Sequence, residues 1–339
     1  MNNDHVQYRI LTGFDDISAD EQTWNALLAK SPVNFIFMTR QWQRTWWEVY
    51  GRGKLLIVVA EQNGEAIAIA PLFADGDMIF FIGSGGSDYL DFIGDISGPG
   101  VLENMLRSAR EQVAGFLGFR FYHIRKDSAT WTALFTTTAD LGQVFDEGDL
   151  PAPMMEIEKF PAHAAEATNK KSLLRHEGWF IKNGGFVFEH STETKDILQH
   201  LPSFFEQHIK RWEPTPYPSL FSDPKHVLFY QRICAVLGST GWLRFTRIIW
   251  QGEAVAYHFG FSYAGSFLWY KPSFDITLAK RSPGEVLIRQ LLLWAISENL
   301  SIFDFGLGDE DFKKRFATAD VSVSTVGLYP DSVIKEKKA

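Results

Sequence analysis

The chain has 339 residues, of which 45% are apolar and 22% charged, and its formal net charge is −8. That length suits two cores of about 150 residues each, the composition excludes a disordered chain, and the acidic balance argues against a dedicated nucleic-acid binder, which draws on clustered Lys and Arg. A single cysteine, Cys234, excludes a disulfide framework within the chain and any multi-cysteine metal site. The nine histidines show no HExxH or similar spacing, so no metal is expected. No apolar run reaches the ~20 residues of a membrane span, and the polar opening MNNDHVQYRI lacks the apolar core of a secretory signal. The cytoplasm is the expected location. The 29 Phe and 11 Trp residues fall largely in strand-like runs. They read as β-rich core packing or as a groove for sugar or peptide.

In chain order, Glu21–Lys30 carries Trp24, Leu27 and Leu28 at helical spacing, and Arg40–Tyr50 carries Trp42, Trp46 and Trp47 in the same way. Strands are predicted over 55–60, 66–73 and 78–82, with Asn63-Gly64 as a hairpin turn between the first two. The Gly-rich segment GSGGSDYLDFIG leads to a helix over 101–117 and a strand over 119–124. The second half repeats this order: strands over 242–250, 254–263 and 266–271, a polar loop PSFDITLAKRSPG, a helix over 283–300 and a strand over 301–305. The repeat suggests duplication of one α/β unit. Residues 1–150 are expected to form one domain and 151–339 a second, with Pro151-Ala152-Pro153 as the linker. A mainly helical insert is expected at about 168–237, broken by the proline-rich EPTPYPSLFSDP, which cannot hold regular structure.

Ser282-Pro283-Gly284-Glu285 opens the second-half helix. Ser282 suits the N-cap, Pro283 the first helical position, and Gly284 a close backbone approach. Free N–H groups at a helix start attract phosphate, and Lys280 and Arg281 add positive charge beside them, as a pyrophosphate-bearing donor such as coenzyme A requires. The competing reading is an ordinary capping box between Ser282 and Glu285. The matching first-half turn, GDISGPG, holds an acid and no base, so no phosphate is expected there.

Asp304-Phe305-Gly306-Leu307-Gly308 ends the last central strand, and 309–316 (DEDFKKRF) reads as a short helix. Asp304 stands at a strand terminus, where ligand crevices form. Lysine at 313 or 314 can neutralise charge developing on an oxyanion; the alternative is a loop-capping aspartate with solvated lysines. His208, in FFEQHIKRW with Arg211 and Trp212 one turn on, is either a general base or an ordinary helix histidine. Lys170, Lys171, Arg175 and His176 read as a solvated helix face, and Cys234 as a core residue.

Taken together, YKPSFD, AKRSPGEVL, the helix that follows and IFDFGLGDEDFKKRF resemble the C-terminal half of the CelD-like, BioF-type acetyltransferase domain, a GNAT-related group similar to the FemABX peptidyltransferases. FMTRQWQRTWWEVYG, IAIAPLF, SDYLDF and FFEQHIKRW are weaker echoes along the rest of the chain. The resemblance implies an α/β fold of two GNAT-like halves, with acyl-CoA, chiefly acetyl-CoA, at the second as co-substrate. It implies that Lys313 lies at the reaction centre near Asp304, and that a groove between the halves, which includes Asp88, Tyr89 and Asp91, takes an amine-bearing saccharide, peptide or small molecule. Arg211, Trp212 and Tyr270 are expected to touch that substrate.

Two departures stand out. Only Arg281, Pro283 and Gly284 echo the family's Gly-rich donor loop, and Phe312 and Phe316 stand where many members carry a tyrosine. With no long charged coiled-coil pair and an acidic chain, acyl-CoA ranks above aminoacyl-tRNA as donor. A non-catalytic sugar- or peptide-binding accessory protein, its donor site vestigial, is the alternative to a transferase.

Overall fold

A computed structural model describes residues 5–16, 20–137 and 141–338. Strand β1 (Gln7–Leu11) precedes two helices that start on side-chain caps. Asp20 accepts the Thr23 N–H to start α1 (Glu21–Lys30), and Thr39 accepts the Trp42 N–H to start α2 (Arg40–Tyr50). Both helices have the bounds that their spacing predicts. β2 (Lys54–Gln62) and β3 (Glu65–Asp75) form a hairpin. Asn63 and Gly64 turn it with φ of 55° and 83°, the left-handed pair that a two-residue turn needs. β4 (Met78–Phe81), β5 (Ile93–Gly94), α3 (Val101–Arg110), β6 (Gly118–Arg125) and α4 (Ala129–Thr137) follow. α3 stops short of the expected 117 because the chain closes in tight turns after Arg110 and leaves them through Gly115 at φ 74°.

β7 (Gln143–Glu156) is a 14-residue strand that sequence reasoning missed. It runs through Pro151-Ala152-Pro153, so these residues are not a linker. The fixed φ of proline suits extended backbone, and Ala152 is fully buried. The expected helical insert holds α5 (Pro161–Thr168), α6 (Lys171–Lys182), an unexpected β8 (Val187–Ser191), α7 (Thr194–Trp212) and α8 (Pro224–Leu237). Then come β9 (Leu243–Trp250), β10 (Glu253–Tyr263), β11 (Ser266–Phe274), α9 (Pro283–Ser297), β12 (Ile302–Asp304), α10 (Asp311–Lys314), β13 (Ala319–Tyr329) and α11 (Asp331–Lys338).

The chain forms two compact units. One holds the described residues up to Pro151 and again from Val321 onward; the other is Ala152–Asp320. The expected second domain ran to 339. Its end instead rejoins the first unit, because β13 pairs with β6 from Val323 opposite Arg125 to Leu328 opposite Phe119. In the first unit the strands run β1-β2-β3-β4-β6-β13, with β4 and β6 parallel. Leu56, Val58, Leu72, Phe81, Phe119 and Met105 are among its core residues. In the second they run β7-β12-β11-β10-β9-β8, with β11 and β12 parallel. Val286, Leu287 and Leu291 of α9 join Phe267 and Phe303 in that core. Each unit thus repeats an antiparallel meander, a helix, and a strand parallel to the third of the meander.

α9 is fixed by a buried polar knot. Arg289 Nη1 meets Glu177 Oε1 at 2.6 Å, and its Nε donates to the Thr168 carbonyl at 2.8 Å. Gln290 donates to the same Glu177 oxygen. No described helix is long and apolar enough to cross a membrane.

Candidate active site

β11 and β12 pair only from Ser266 opposite Ile302 to Leu268 opposite Asp304. Past that point β11 continues to Phe274 alongside β10. The chain leaving β12 turns the other way, and the Phe305 N–H donates to the Pro153 carbonyl at 3.1 Å. Parallel strands that part leave an open backbone edge, and the carboxyl ends of such strands are where α/β folds form ligand crevices.

Asp304 stands at this fork. Its Oδ1 accepts the Gly306 N–H at 2.8 Å, which folds the strand end into a turn. Lys313 Nζ donates to the Leu307 carbonyl of that turn at 2.6 Å and meets Glu310 Oε2 at 2.8 Å. The side chain of Lys313 is only 4% exposed, whereas that of Lys314 is 55% exposed and lies 4.0 Å from Asp311. Adjacent lysines therefore have different surroundings, and the one expected at the reaction centre is the one built into the turn. A Cβ on Gly308, which sits at φ 123°, would stand 3.0 Å from Lys313 Nζ, so glycine lets the ammonium come close. Asp304 thus ties the strand terminus to the turn that follows it.

His208, Arg211 and Trp212 share the last turns of α7. His208 is buried, with Nδ1 2.8 Å from Ser219 Oγ. That hydroxyl also accepts the Phe221 N–H at 3.1 Å. Burial, then the charges of Arg211 and Lys271, push the His208 pKa down to about 3. A ring held this far below its usual range takes up a proton poorly near neutrality, which weighs against the general base expected at His208.

Arg211 Nη1 donates to the Pro272 carbonyl at 2.8 Å, and the guanidinium lies 4.4 Å from the Phe274 ring centre. Burial lowers its pKa to about 10, opposed by the charge of Glu310, which ties α7 electrostatically to the Lys313 turn. Trp212 stacks on His208 at 5.9 Å, and its Nε1 is buried without a partner among the described residues. Lys271 Nζ sits 3.9 Å from the Tyr270 ring centre, and Tyr270 stacks on Tyr230 at 6.3 Å. The end of α7 thus brings His208, Arg211 and Trp212 together, with Arg211 against β11 and within electrostatic reach of Glu310, while Asp304 and Lys313 share the turn after β12. Sequence reasoning missed Glu310 and Lys271, although Lys271 lies inside the YKPSFD motif and Glu310 stands three residues before Lys313.

The proposed donor turn differs from both readings of it. Ser282 is left-handed at φ 52°, and its Oγ donates to the Ala279 carbonyl at 3.3 Å instead of capping α9. Glu285 closes no capping box, because its carboxylate goes to Arg315 at 2.8 Å. The Ser282 carbonyl takes the N–H groups of Glu285 and Val286 at 2.9 and 3.4 Å, so those amides are already engaged. Lys280 and Arg281 are exposed, and Arg281 lies 4.6 Å from the Trp179 ring centre. A Cβ on Gly284 would meet the Phe274 ring at 3.2 Å.

In the first unit, Tyr89 and Asp91 are each 1% exposed, which corrects their expected place on a substrate groove. Tyr89 packs on Phe35 at 4.7 Å. Asp91 Oδ1 accepts the Phe92 N–H at 2.7 Å and the Thr130 hydroxyl, and burial pushes its pKa up to about 7. Asp88 is half-buried. Cys234 is fully buried and its thiol pKa is pushed up.

Buried histidines give the molecule a pH response. Burial lowers His190 to about 4 and His208 to about 3, and drives His258 well below its usual value. Unfolded, each titrates near 6.5, so between these limits only the unfolded chain binds the proton. Stability is present above about pH 6.5 and is lost as pH falls toward 4, by at most about 1.4 kcal/mol per pH unit for each histidine. Asp91, raised to about 7, acts in the opposite sense and offsets one of the three. Urea unfolding at pH 7, 6 and 5 should show a steady net fall; a flat profile would mean that the folded histidines take up protons.

Residues 168–314 match the acetyltransferase (GNAT) domain family. No curated protein matches the sequence. Among solved structures the chain is similar to FemX, with a TM-score of 0.66 at 12% identity over 94% of this chain and 98% of that one. It is similar to the L-PGS of Bacillus licheniformis, with a TM-score of 0.55 at 14% identity over 94% and 96%. It is also similar to a tandem GNAT protein from the clavulanic acid biosynthesis pathway, with a TM-score of 0.52 at 12% identity over 95% and 98%. At these identities the likeness is one of fold. Residues 168–314 therefore match a GNAT acetyltransferase domain, and the chain as a whole has the two-half GNAT fold.

Proposed function

We propose that the protein is a cytoplasmic N-acyltransferase that moves an acyl group, acetyl first, from acyl-CoA to an amine of a saccharide, peptide or small metabolite. The observation that carries this is the fork between β11 and β12, with Lys313 held on the Gly306-Leu307 turn at its mouth. The residues present fit such a donor: an open strand edge, a buried ammonium, and two exposed cations at Lys280 and Arg281. Bound acyl-CoA supplies the thioester carbonyl. Lys313 donates to the oxygen that gains charge during attack, exchanging its bond to Glu310 for it. Glu310, 57% exposed, is the carboxylate beside it that can take the amine proton as the C–N bond forms and return it to the thiolate released as the C–S bond breaks. Trp212, Arg211 and Lys271 are all hydrogen-bond donors and suit an acceptor rich in oxygen or carrying an anion. The first unit serves without a cofactor.

Calorimetric titration with acetyl-CoA tests the donor. Arg281→Glu should weaken affinity by about tenfold, since reversing one charge near a phosphate is worth roughly 1–2 kcal/mol. Equal affinity in wild type and variant removes this turn from the site. The similarity to FemX favours a second reading, FemABX-like transfer from aminoacyl-tRNA. Binding of aminoacyl-tRNA with no response to acetyl-CoA would select it.

A further inference from the structure

The register between β10 and β11 shifts between Phe259 and Phe261. β11 carries the extra residue, since Trp269 and Tyr270 together face Gly260, and a bulge leaves a residue of its own strand without a ladder bond. Here a side chain makes the missing bond. The Tyr270 N–H donates to Nε2 of His258 at 3.0 Å. His258 is fully buried, and its ring stacks on Trp269 at 4.7 Å with 16° between planes. A Cβ on Gly260 would overlap that ring, so glycine at the bulge makes room for the imidazole. Because Nε2 accepts, the ring proton is on Nδ1.

Tyr270 lies two residues past the last pair of β11 with β12, on the stretch of strand that borders the fork. Trp269 in turn meets Phe312 edge-on at 6.4 Å, and Phe312 immediately precedes Lys313. One imidazole therefore contacts both the backbone of β11 where it borders the fork and, through Trp269, the turn that carries the ammonium.

We propose that His258 is a positioning residue for acyl transfer: its imidazole stands in for a strand carbonyl and holds β11 at Tyr270, so that the open edge and Lys313 keep their register. The inference rests on reading the β11–β12 fork as the donor site. His258→Phe keeps the stack on Trp269 and removes the acceptor. His258→Gln loses the ring and places an amide oxygen at about the depth of Nε2.

Hydrogen–deuterium exchange on the ligand-free full chain reads the bond directly, and acetyl-CoA titration reads its consequence. In His258→Phe the Tyr270 amide should exchange about tenfold faster, the loss expected of one buried hydrogen bond, and acetyl-CoA affinity should fall by a similar factor. In His258→Gln both should return toward wild type while the two variants melt at similar temperatures. Unchanged exchange in His258→Phe, or equal loss of affinity in both variants, overturns the proposal. If His258→Phe does not fold, a folded His258→Gln protein whose Tyr270 amide is unprotected overturns it as well. A wild-type protein that takes up no acetyl-CoA removes the donor assignment, and exchange still decides whether His258 holds β11.

Discussion

Lys313→Ala is expected to lower turnover by about 10²–10³, the usual cost of removing one group that stabilises an oxyanion, while Lys314→Ala stays near wild type. The contrast comes from position. Lys313 is buried against the Leu307 carbonyl and Glu310, whereas Lys314 points to solvent near Asp311. The same substitution leaves a buried carbonyl without its donor, which costs about 1–3 kcal/mol of stability. Turnover, read as thiol release from acetyl-CoA, is therefore measured well below the melting temperature of the variant. A loss no larger than the unfolded fraction would give Lys313 a structural role alone. Turnover near wild type would remove it from the mechanism.

Glu177→Ala should destabilise the protein by about 3–5 kcal/mol, the range for breaking one partner of a buried ion pair. The carboxylate of Glu177 is 11% exposed and the guanidinium of Arg289 is 12% exposed, so neither is well screened by water. Removing Glu177 leaves that guanidinium and the Gln290 amide without their acceptor. Glu177→Leu with Arg289→Leu should recover much of the loss, because no charge is then left uncompensated. Urea unfolding of the single and double variants measures both. A single-variant loss below about 1 kcal/mol would show that the pair behaves as a surface contact. The knot also holds α9, whose first turn follows the Lys280–Arg281 segment, so acetyl-CoA affinity should fall in the single variant as well.

Local chemistry made much of the fold legible. Asn63-Gly64, the capping residues Asp20 and Thr39, and Pro283 at a helix start are decided by neighbours within a few residues. β7 was not legible. Its first two-thirds are exposed and acidic, it contains two prolines, and its partner Asp304 lies far along the chain. β8 and β13 are likewise completed by distant strands. The site divides the same way. The surroundings of Lys313 are local: its turn, its carbonyl acceptor and Glu310 lie within seven residues of it. The surroundings of His208 were not legible, because they are set by burial and by Ser219, across the proline-rich loop. Asp91 and Tyr89 were misread because a polar loop sequence gave no sign that both would be covered.

The chain leaves the first unit within β7 and returns to it in β13. During synthesis the first unit therefore emerges from the ribosome lacking the strand that pairs along β6. It keeps that edge bare until the residues beyond Val321 have been made, while Ala152–Asp320 can complete its own strands earlier. An exposed strand edge recruits other chains, so the growing polypeptide is most prone to associate with its neighbours in the interval between the two events. A chain that stops short of β13 stays in that state permanently. Nonsense or frameshift changes before or within the codons of β13 would then act on the unit encoded first, and a chaperone that shields sheet edges would matter most until β13 has been made.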